Sequence, residues 1–118
     1  MTKEEVRQLA ELQAKFEERC REVCSILKDL DYEYGNLHYF TMEGDYVVGI
    51  GHNYDYEEVN LEFSTSFLTA NDDVIRDYVK DEIKKREEEE KRVKESLEEM
   101  KREQERALLK KLKEKYEN

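Results

Sequence analysis

The first 30 residues place apolar side chains at intervals of three and four. Such positions share one face of an α-helix, so the pattern predicts a single helix over about residues 3–30. Thr2 followed by Glu5 has the spacing of a capping box and predicts where the helix begins. The apolar stripe contains Val6, Leu9, Phe16, Cys20, Val23, Leu27 and Leu30, with one polar interruption at Gln13. We expect this face to cover either the sheet that follows or a second helix.

The period changes from about 3.6 to two after residue 36, which indicates strands with one buried face. The pattern predicts three strands, over about 37–42, 46–51 and 57–64. The third is the most regular, because Val59, Leu61 and Phe63 alternate with polar side chains. Gly44 and the residues beside it predict one hairpin turn, and residues 52–55 predict the next. The expected product is a three-stranded antiparallel β-meander.

Helical spacing returns at about residue 71, where residues 69–72 offer capping side chains. The first turns of this second helix carry Val74, Ile75, Tyr78, Val79 and Ile83, which can join the core. The fold class expected is therefore α+β, with an N-terminal helix, a β-meander and a long C-terminal helix with coiled-coil character. We expect an α+β core over residues 1–83 and a charged helical extension over 84–118.

The extension has its own pattern. Residues 84–92 contain no apolar side chain, and we expect i,i+4 ion pairs such as Glu87 with Lys91 to support the helix there. Apolar residues then return at spacings of four and three and predict a short coiled-coil seam, with Arg86, Glu90 and Gln104 at would-be core positions. The residues predicted to mediate self-association are Val93, Leu97, Met100, Leu108 and Leu112. Packing onto the N-terminal helix and homodimerisation both remain open.

Charge adds a second feature, because the net charge of -10 is unevenly spread. Residues 81–118 hold 13 basic and 13 acidic side chains, so the excess negative charge lies in the first 80 residues. Between Lys28 and Arg76 there is no Lys or Arg, while 11 Asp and Glu fall there. Such a segment repels phosphate, so we expect no direct binding of nucleic acid and instead a basic protein partner.

Candidate catalytic and metal-binding chemistry is sparse. Cys20 and Cys24 lie on one helix face, and neither they nor His38 and His52 have the spacing of a zinc site. The Gly49-Ile50-Gly51 segment lacks the Lys-Ser/Thr and the following helix of a phosphate loop. No nucleophile with a dedicated base is recognisable. We therefore expect a protein that is not an enzyme and needs no cofactor.

The chain is also expected to be cytoplasmic. Residues 1–5 have no apolar stretch like that of a secretion signal, and no segment approaches the length of a membrane span. Two cysteines four residues apart in a helix fit a reducing compartment better than a disulfide. We expect no membrane partner.

Six of the eight tyrosines lie in the segment without basic residues, between acidic side chains. Tyrosine is enriched at interfaces because it offers rigid apolar area with a polar tip, and a neighbouring carboxylate can meet Arg or Lys. The residues predicted to bind a partner are Asp31, Tyr32, Glu33, Tyr34, Tyr54, Asp55, Tyr56, Glu57 and Glu58. The alternative is that strand propensity alone explains the tyrosines.

In size, charge and architecture the chain resembles the small acidic inhibitors that phages and mobile elements encode against nucleic-acid-handling host proteins, anti-CRISPR proteins among them. The resemblance implies a viral protein, a nucleic-acid mimic that occupies a basic nucleic-acid-binding surface of a host protein. The alternative hypothesis is a structural protein whose long helices form a coiled-coil homodimer or scaffold. In that case the acidic segment only keeps the assembly in solution.

Overall fold

The computed structural model describes residues 1–116. Its helices are α1 (Lys3–Leu27), α2 (Ser66–Thr69) and α3 (Asp72–Tyr116), and its strands are β1 (Leu37–Glu43), β2 (Tyr46–His52) and β3 (Glu58–Ser64). A 3-10 turn, Tyr32–Asn36, links α1 to β1. The predicted α+β fold of an N-terminal helix, a three-stranded antiparallel sheet and a long C-terminal helix is confirmed.

Helix α1 begins where the sequence predicts. The Thr2 hydroxyl accepts a hydrogen bond from the Glu5 main-chain N–H, and the Glu5 carboxylate accepts one from the Thr2 N–H, each at 3.1 Å. The bond from the Thr2 backbone lowers the pKa of Glu5. The helix ends at Leu27 and not at about residue 30, because Asp31 caps the following 3-10 turn through the Glu33 N–H at 3.0 Å. The predicted end was therefore three residues too late.

The sheet has the order β1-β2-β3, with both neighbouring pairs antiparallel. Gly44 has a φ of 60° at the first position of the two-residue turn between β1 and β2, a conformation that favours glycine. A register shift lies between Leu37 and Tyr39 at the start of β1. The predicted hairpins are both present, and each strand lies within a residue or so of its predicted limits.

One face of the sheet is buried with the C-terminal half of α1 and the first turns of α3. The buried apolar residues are Cys20, Val23, Cys24, Leu27, Leu37, Phe40, Val47, Val59, Phe63, Ile75 and Val79. Phe67 adds an aromatic contact to Tyr78, with ring centroids 5.1 Å apart. The N-terminal half of α1 differs from our expectation, because Val6, Leu9 and Leu12 are exposed. The sequence periodicity predicted one continuous covered stripe, whereas only its C-terminal part meets the sheet.

Two glycines of β2 allow a close approach on the buried face. A Cβ atom at Gly51 would lie 1.8 Å from the Asn36 carbonyl oxygen, and one at Gly49 would lie 2.6 Å from Leu37 Cδ1. The chain entering β1 therefore crosses β2 where no side chain fits. The glycines provide room for the neighbouring chain.

Arg19 joins α1 to the segment that connects the sheet to α3. Its guanidinium donates to the main-chain oxygens of Phe67, Leu68 and Ala70 at 3.2, 3.1 and 2.7 Å. It also forms ion pairs with Asp72 at 2.7 Å and Glu22 at 2.9 Å. The Asp72 bond is the main cause of the raised pKa of Arg19. One side chain thus satisfies carbonyls that no neighbouring strand or helix pairs.

The chain divides into two compact units, Met1–Glu82 and Ile83–Asn118. Within the second unit, residues 84–116 are helical and all exposed. The predicted i,i+4 pair of Glu87 with Lys91 is not closed in the part of the chain that the structure describes. Among residues 1–116, no helix has the combination of length and apolar character that crossing a bilayer requires.

Replacing Arg19 with Lys is expected to lower the free energy of unfolding by about 2–3 kcal/mol, because an ammonium group cannot reach all the carbonyls that the guanidinium serves. Arg21→Lys is the matched control, since the nearest carboxylate to Arg21 is Glu17 at 4.0 Å. Its effect should stay within about 0.5 kcal/mol. Urea denaturation of both variants measures the difference, and equal losses would contradict the role given to Arg19.

Gly51→Ala is expected to destabilise the fold by at least about 2 kcal/mol, because the added methyl group would overlap the Asn36 backbone. Gly35→Ala serves as the control, since no heavy atom lies within 4 Å of a Cβ built there. Thermal unfolding followed by circular dichroism compares the two. If Gly51→Ala melted like the control, the close crossing of the chain over β2 would be wrong.

Candidate protein-binding surface

The loop between β2 and β3 is held by its own hydrogen bonds. The Asn53 side-chain oxygen accepts from the main-chain N–H groups of Asp55 and Glu57, each at 3.0 Å. The Asn53 N–H donates to the Glu57 oxygen, and the Tyr56 N–H donates to the Asn53 oxygen, each at 3.1 Å. This is the arrangement of a tight hairpin closed by a turn and a bulge. We call residues 53–58 the hairpin tip.

Tyr56 has a φ of 58°, and it is the one non-glycine residue with positive φ among those the structure describes. This left-handed conformation is unfavourable for a bulky residue and usually belongs to Gly or Asn. The side chain of Tyr56 is 88% exposed, so packing within the chain does not offset the cost. A residue type that the backbone disfavours and the core does not use is a candidate for function.

The hairpin tip presents aromatic and acidic side chains together. Tyr54 is 98% exposed, and Asp55, Glu57 and Glu58 are exposed as well. The Asn53 amide secures the loop, so no Lys or Arg is needed there to neutralise the carboxylates. The tip is therefore a preorganised surface with two exposed rings and charge of one sign.

The predicted partner-binding residues fall into two groups, residues 31–34 and residues 54–58. The first group lies at the 3-10 turn and not at the hairpin tip. Tyr34 donates its hydroxyl hydrogen to the Glu62 carbonyl oxygen at 2.8 Å, and burial raises the pKa of its hydroxyl. Asp31 accepts the capping bond from Glu33. Asp31 and Tyr34 thus have roles within the fold, whereas Tyr32 is exposed. Of the two predicted groups, only the hairpin tip keeps all its tyrosines exposed.

Sequence reasoning left the exposed face of the sheet undecided, and the strand register identifies it. Tyr39 pairs with Ile50, which pairs with Asn60, and Val48 pairs with Glu62, all on the face opposite the core. Tyr39 is exposed, while Val48 and Ile50 are half-buried. At the end of this face His52 lies opposite Glu58, which belongs to the hairpin tip. Tyr39 extends the candidate surface, and the shift in alternation at the start of β1 is why the sequence missed it.

A shallow cleft lies in the first unit. It is lined by Leu27, Leu30, Tyr34, Tyr46, Glu62, Phe63, Ser64, Phe67 and Tyr78. The Tyr34 hydroxyl is already engaged with Glu62. The lining therefore supplies aromatic surface and little chemistry.

The cysteines are sequestered. Cys20 and Cys24 are free thiols and both are buried. Burial raises the pKa of Cys20 to about 11 and that of Cys24 to about 12, so neither forms a thiolate near neutral pH. Over residues 1–116 no group of three or more His, Cys, Asp or Glu is placed to hold a metal ion.

The predicted self-association residues all lie on α3 in the second unit. Val93, Leu97, Met100, Leu108 and Leu112 are exposed.

No protein-family model matches the chain, and neither curated proteins nor solved structures gave a match.

Tyr56→Gly is expected to leave the free energy of unfolding unchanged or to raise it by up to about 1 kcal/mol, because glycine accepts positive φ without strain. Tyr54→Gly is the matched control: Tyr54 is equally solvent-exposed but its φ is not positive. That change should cost about 0.5–1 kcal/mol through the greater freedom of the unfolded chain. Urea denaturation of both variants measures the two changes in the free energy of unfolding. A larger loss for Tyr56→Gly than for Tyr54→Gly would show that the Tyr56 ring supports the fold.

Proposed function

We propose that this protein is a non-enzymatic binding module whose hairpin tip docks on a basic, nucleic-acid-binding surface of another protein. The observation that carries the proposal is Tyr56, an exposed ring kept in an unfavourable backbone conformation beside three carboxylates. Such a conformation costs stability, and the exposed ring offsets little of that cost by packing within the described chain. An external partner supplies the missing reason for it.

The chemistry of the tip fits an arginine-rich or lysine-rich groove. Asp55, Glu57 and Glu58 offer carboxylates at the surface, where a guanidinium can form paired hydrogen bonds. The rings of Tyr54 and Tyr56 offer apolar area and faces on which a cation can stack. A surface that binds phosphates and bases also pairs with negative charge and with flat rings. The tip offers both, so it can occupy such a surface in place of nucleic acid.

Preorganisation strengthens the proposal. The Asn53 bonds fix the loop before binding, so little backbone freedom is lost when the partner docks. The sheet behind the tip continues the same surface, because Glu58 starts β3 and lies opposite His52. The resemblance to phage-encoded inhibitors implies that the partner is a host protein that handles nucleic acid.

The proposal is tested by binding from a host lysate first enriched on DNA-cellulose. Immobilised wild type is compared with the triple variant Asp55→Lys, Glu57→Lys and Glu58→Lys. We expect wild type to retain a basic protein that free duplex DNA elutes, and the triple variant to lose it because its tip repels a basic groove.

A charge-matched control separates the tip from net charge. Glu88→Lys, Glu95→Lys and Glu99→Lys change the net charge equally, but in the second unit. This control should bind like wild type, while Tyr56→Gly should bind about 10-fold or more weakly although it is folded. Equal retention by the two triple variants, or retention that DNA does not compete with, would contradict the proposal.

A further inference from the structure

The second unit carries an apolar stripe that is exposed among the described residues. Leu97 is 60% exposed, and Val93, Met100, Leu108 and Leu112 are exposed as well. A helix that is solvated all round gains nothing from such a stripe, and an isolated helix is marginal in water without tertiary packing. The stripe therefore indicates a partner helix.

The spacing gives each residue a position in the heptad abcdefg. Leu97 and Gln104 take a positions, and Val93 and Met100 take d positions, because d to a is a step of four and a to d a step of three. Leu108 lies 11 residues after Leu97, which returns to nearly the same helix face after three turns. The stripe thus continues beyond Gln104 by leaving the heptad.

The charges beside the stripe distinguish two orientations. The g positions hold Glu89, Ser96 and Glu103, and the e positions hold Lys94, Lys101 and Leu108. In a parallel pair each g residue faces the e residue five places later on the other helix, so Glu89 meets Lys94 of the second copy. In an antiparallel pair e faces e and g faces g, which opposes like charges. The parallel orientation therefore forms the Glu89–Lys94 pair just before the seam and opposes no like charges, because Ser96 faces Lys101 and Glu103 faces Leu108.

Gln104 gives a second reason for that orientation. In a parallel pair in register, a residue at an a position meets its own copy across the seam. Two Gln104 amides can then donate to and accept from each other, as a single polar residue at an a position does when it fixes register. Glu90, also at an a position, would face its own copy, so the seam begins at Val93.

We propose that residues 93–112 form a parallel, in-register two-stranded coiled coil with a second copy of this chain. The proposal is independent of the proposed function, since none of its residues belongs to the hairpin tip. If both hold, each assembly carries two tips, and a partner with two basic surfaces is bound with added avidity.

Sedimentation equilibrium of the full chain, from micromolar to near-millimolar concentration, measures the self-association. Leu97→Lys should weaken it by about 100-fold or more, because a charge enters the seam on both helices. Leu109→Lys is the matched control. Leu109 is 64% exposed, close to the 60% of Leu97, but lies about 120° around the helix from Leu97, so this variant should weaken association far less than Leu97→Lys.

Two further variants test position and orientation. Glu90→Leu adds an apolar a position next to Val93 and should tighten association about 10-fold or more. Gln104→Cys should form a disulfide-linked dimer under mild oxidation, since a residues face each other across a parallel seam, whereas Leu109→Cys should not.

Each remaining outcome overturns the proposal. A chain that stays monomeric throughout has no such seam. A dimer that Leu97→Lys does not affect, but Leu9→Lys abolishes, uses the exposed stripe of α1 instead. A dimer sensitive to Leu97→Lys whose Gln104→Cys variant does not cross-link is not parallel and in register.

Discussion

Arg19 is the contact on which the first unit depends. Between Lys28 and Arg76 the chain has no Lys or Arg, and the carbonyls of Phe67, Leu68 and Ala70 receive their donor from α1. The same guanidinium reaches Asp72, the first residue of α3. One cation at 19% side-chain exposure thus holds α1 and the start of α3 around the sheet. Ile75 and Val79 of α3 and Val23 and Leu27 of α1 are all buried.

The hairpin tip is ordered by a different device. Asn53 secures the loop with an uncharged amide. A lysine or arginine in that role would have neutralised the carboxylates of the loop. The loop is therefore fixed while its charge remains of one sign. Tyr56 adds a backbone cost that its exposed side chain does not offset by packing. Together these features favour a surface made for binding, and they explain why the acidic segment is tightly folded and not a solvated tail.

The periodicity of the sequence was sufficient to predict the fold class and all three strands. Val59, Leu61 and Phe63 alternate with polar residues in β3, and Gly44 marks the turn between β1 and β2. It failed where tertiary contacts decide. The apolar spacing of α1 does not reveal that Val6 and Leu9 lie beyond the sheet. Nor does any periodicity predict the 3-10 turn, where Asp31 and Tyr34 each form a hydrogen bond. Residue composition located the hairpin tip, but the positive φ of Tyr56 depends on loop geometry that sequence spacing does not encode.

The docking of the hairpin tip is tested most directly by photo-cross-linking. A benzoylphenylalanine placed at position 54, where the ring is fully in solvent, should form an adduct with a basic protein, joined at its nucleic-acid-binding surface. The same probe at position 97 should cross-link only to a second copy of this chain. Adducts with a foreign protein from position 97 and none from position 54 would contradict the assignment of partner binding to the tip.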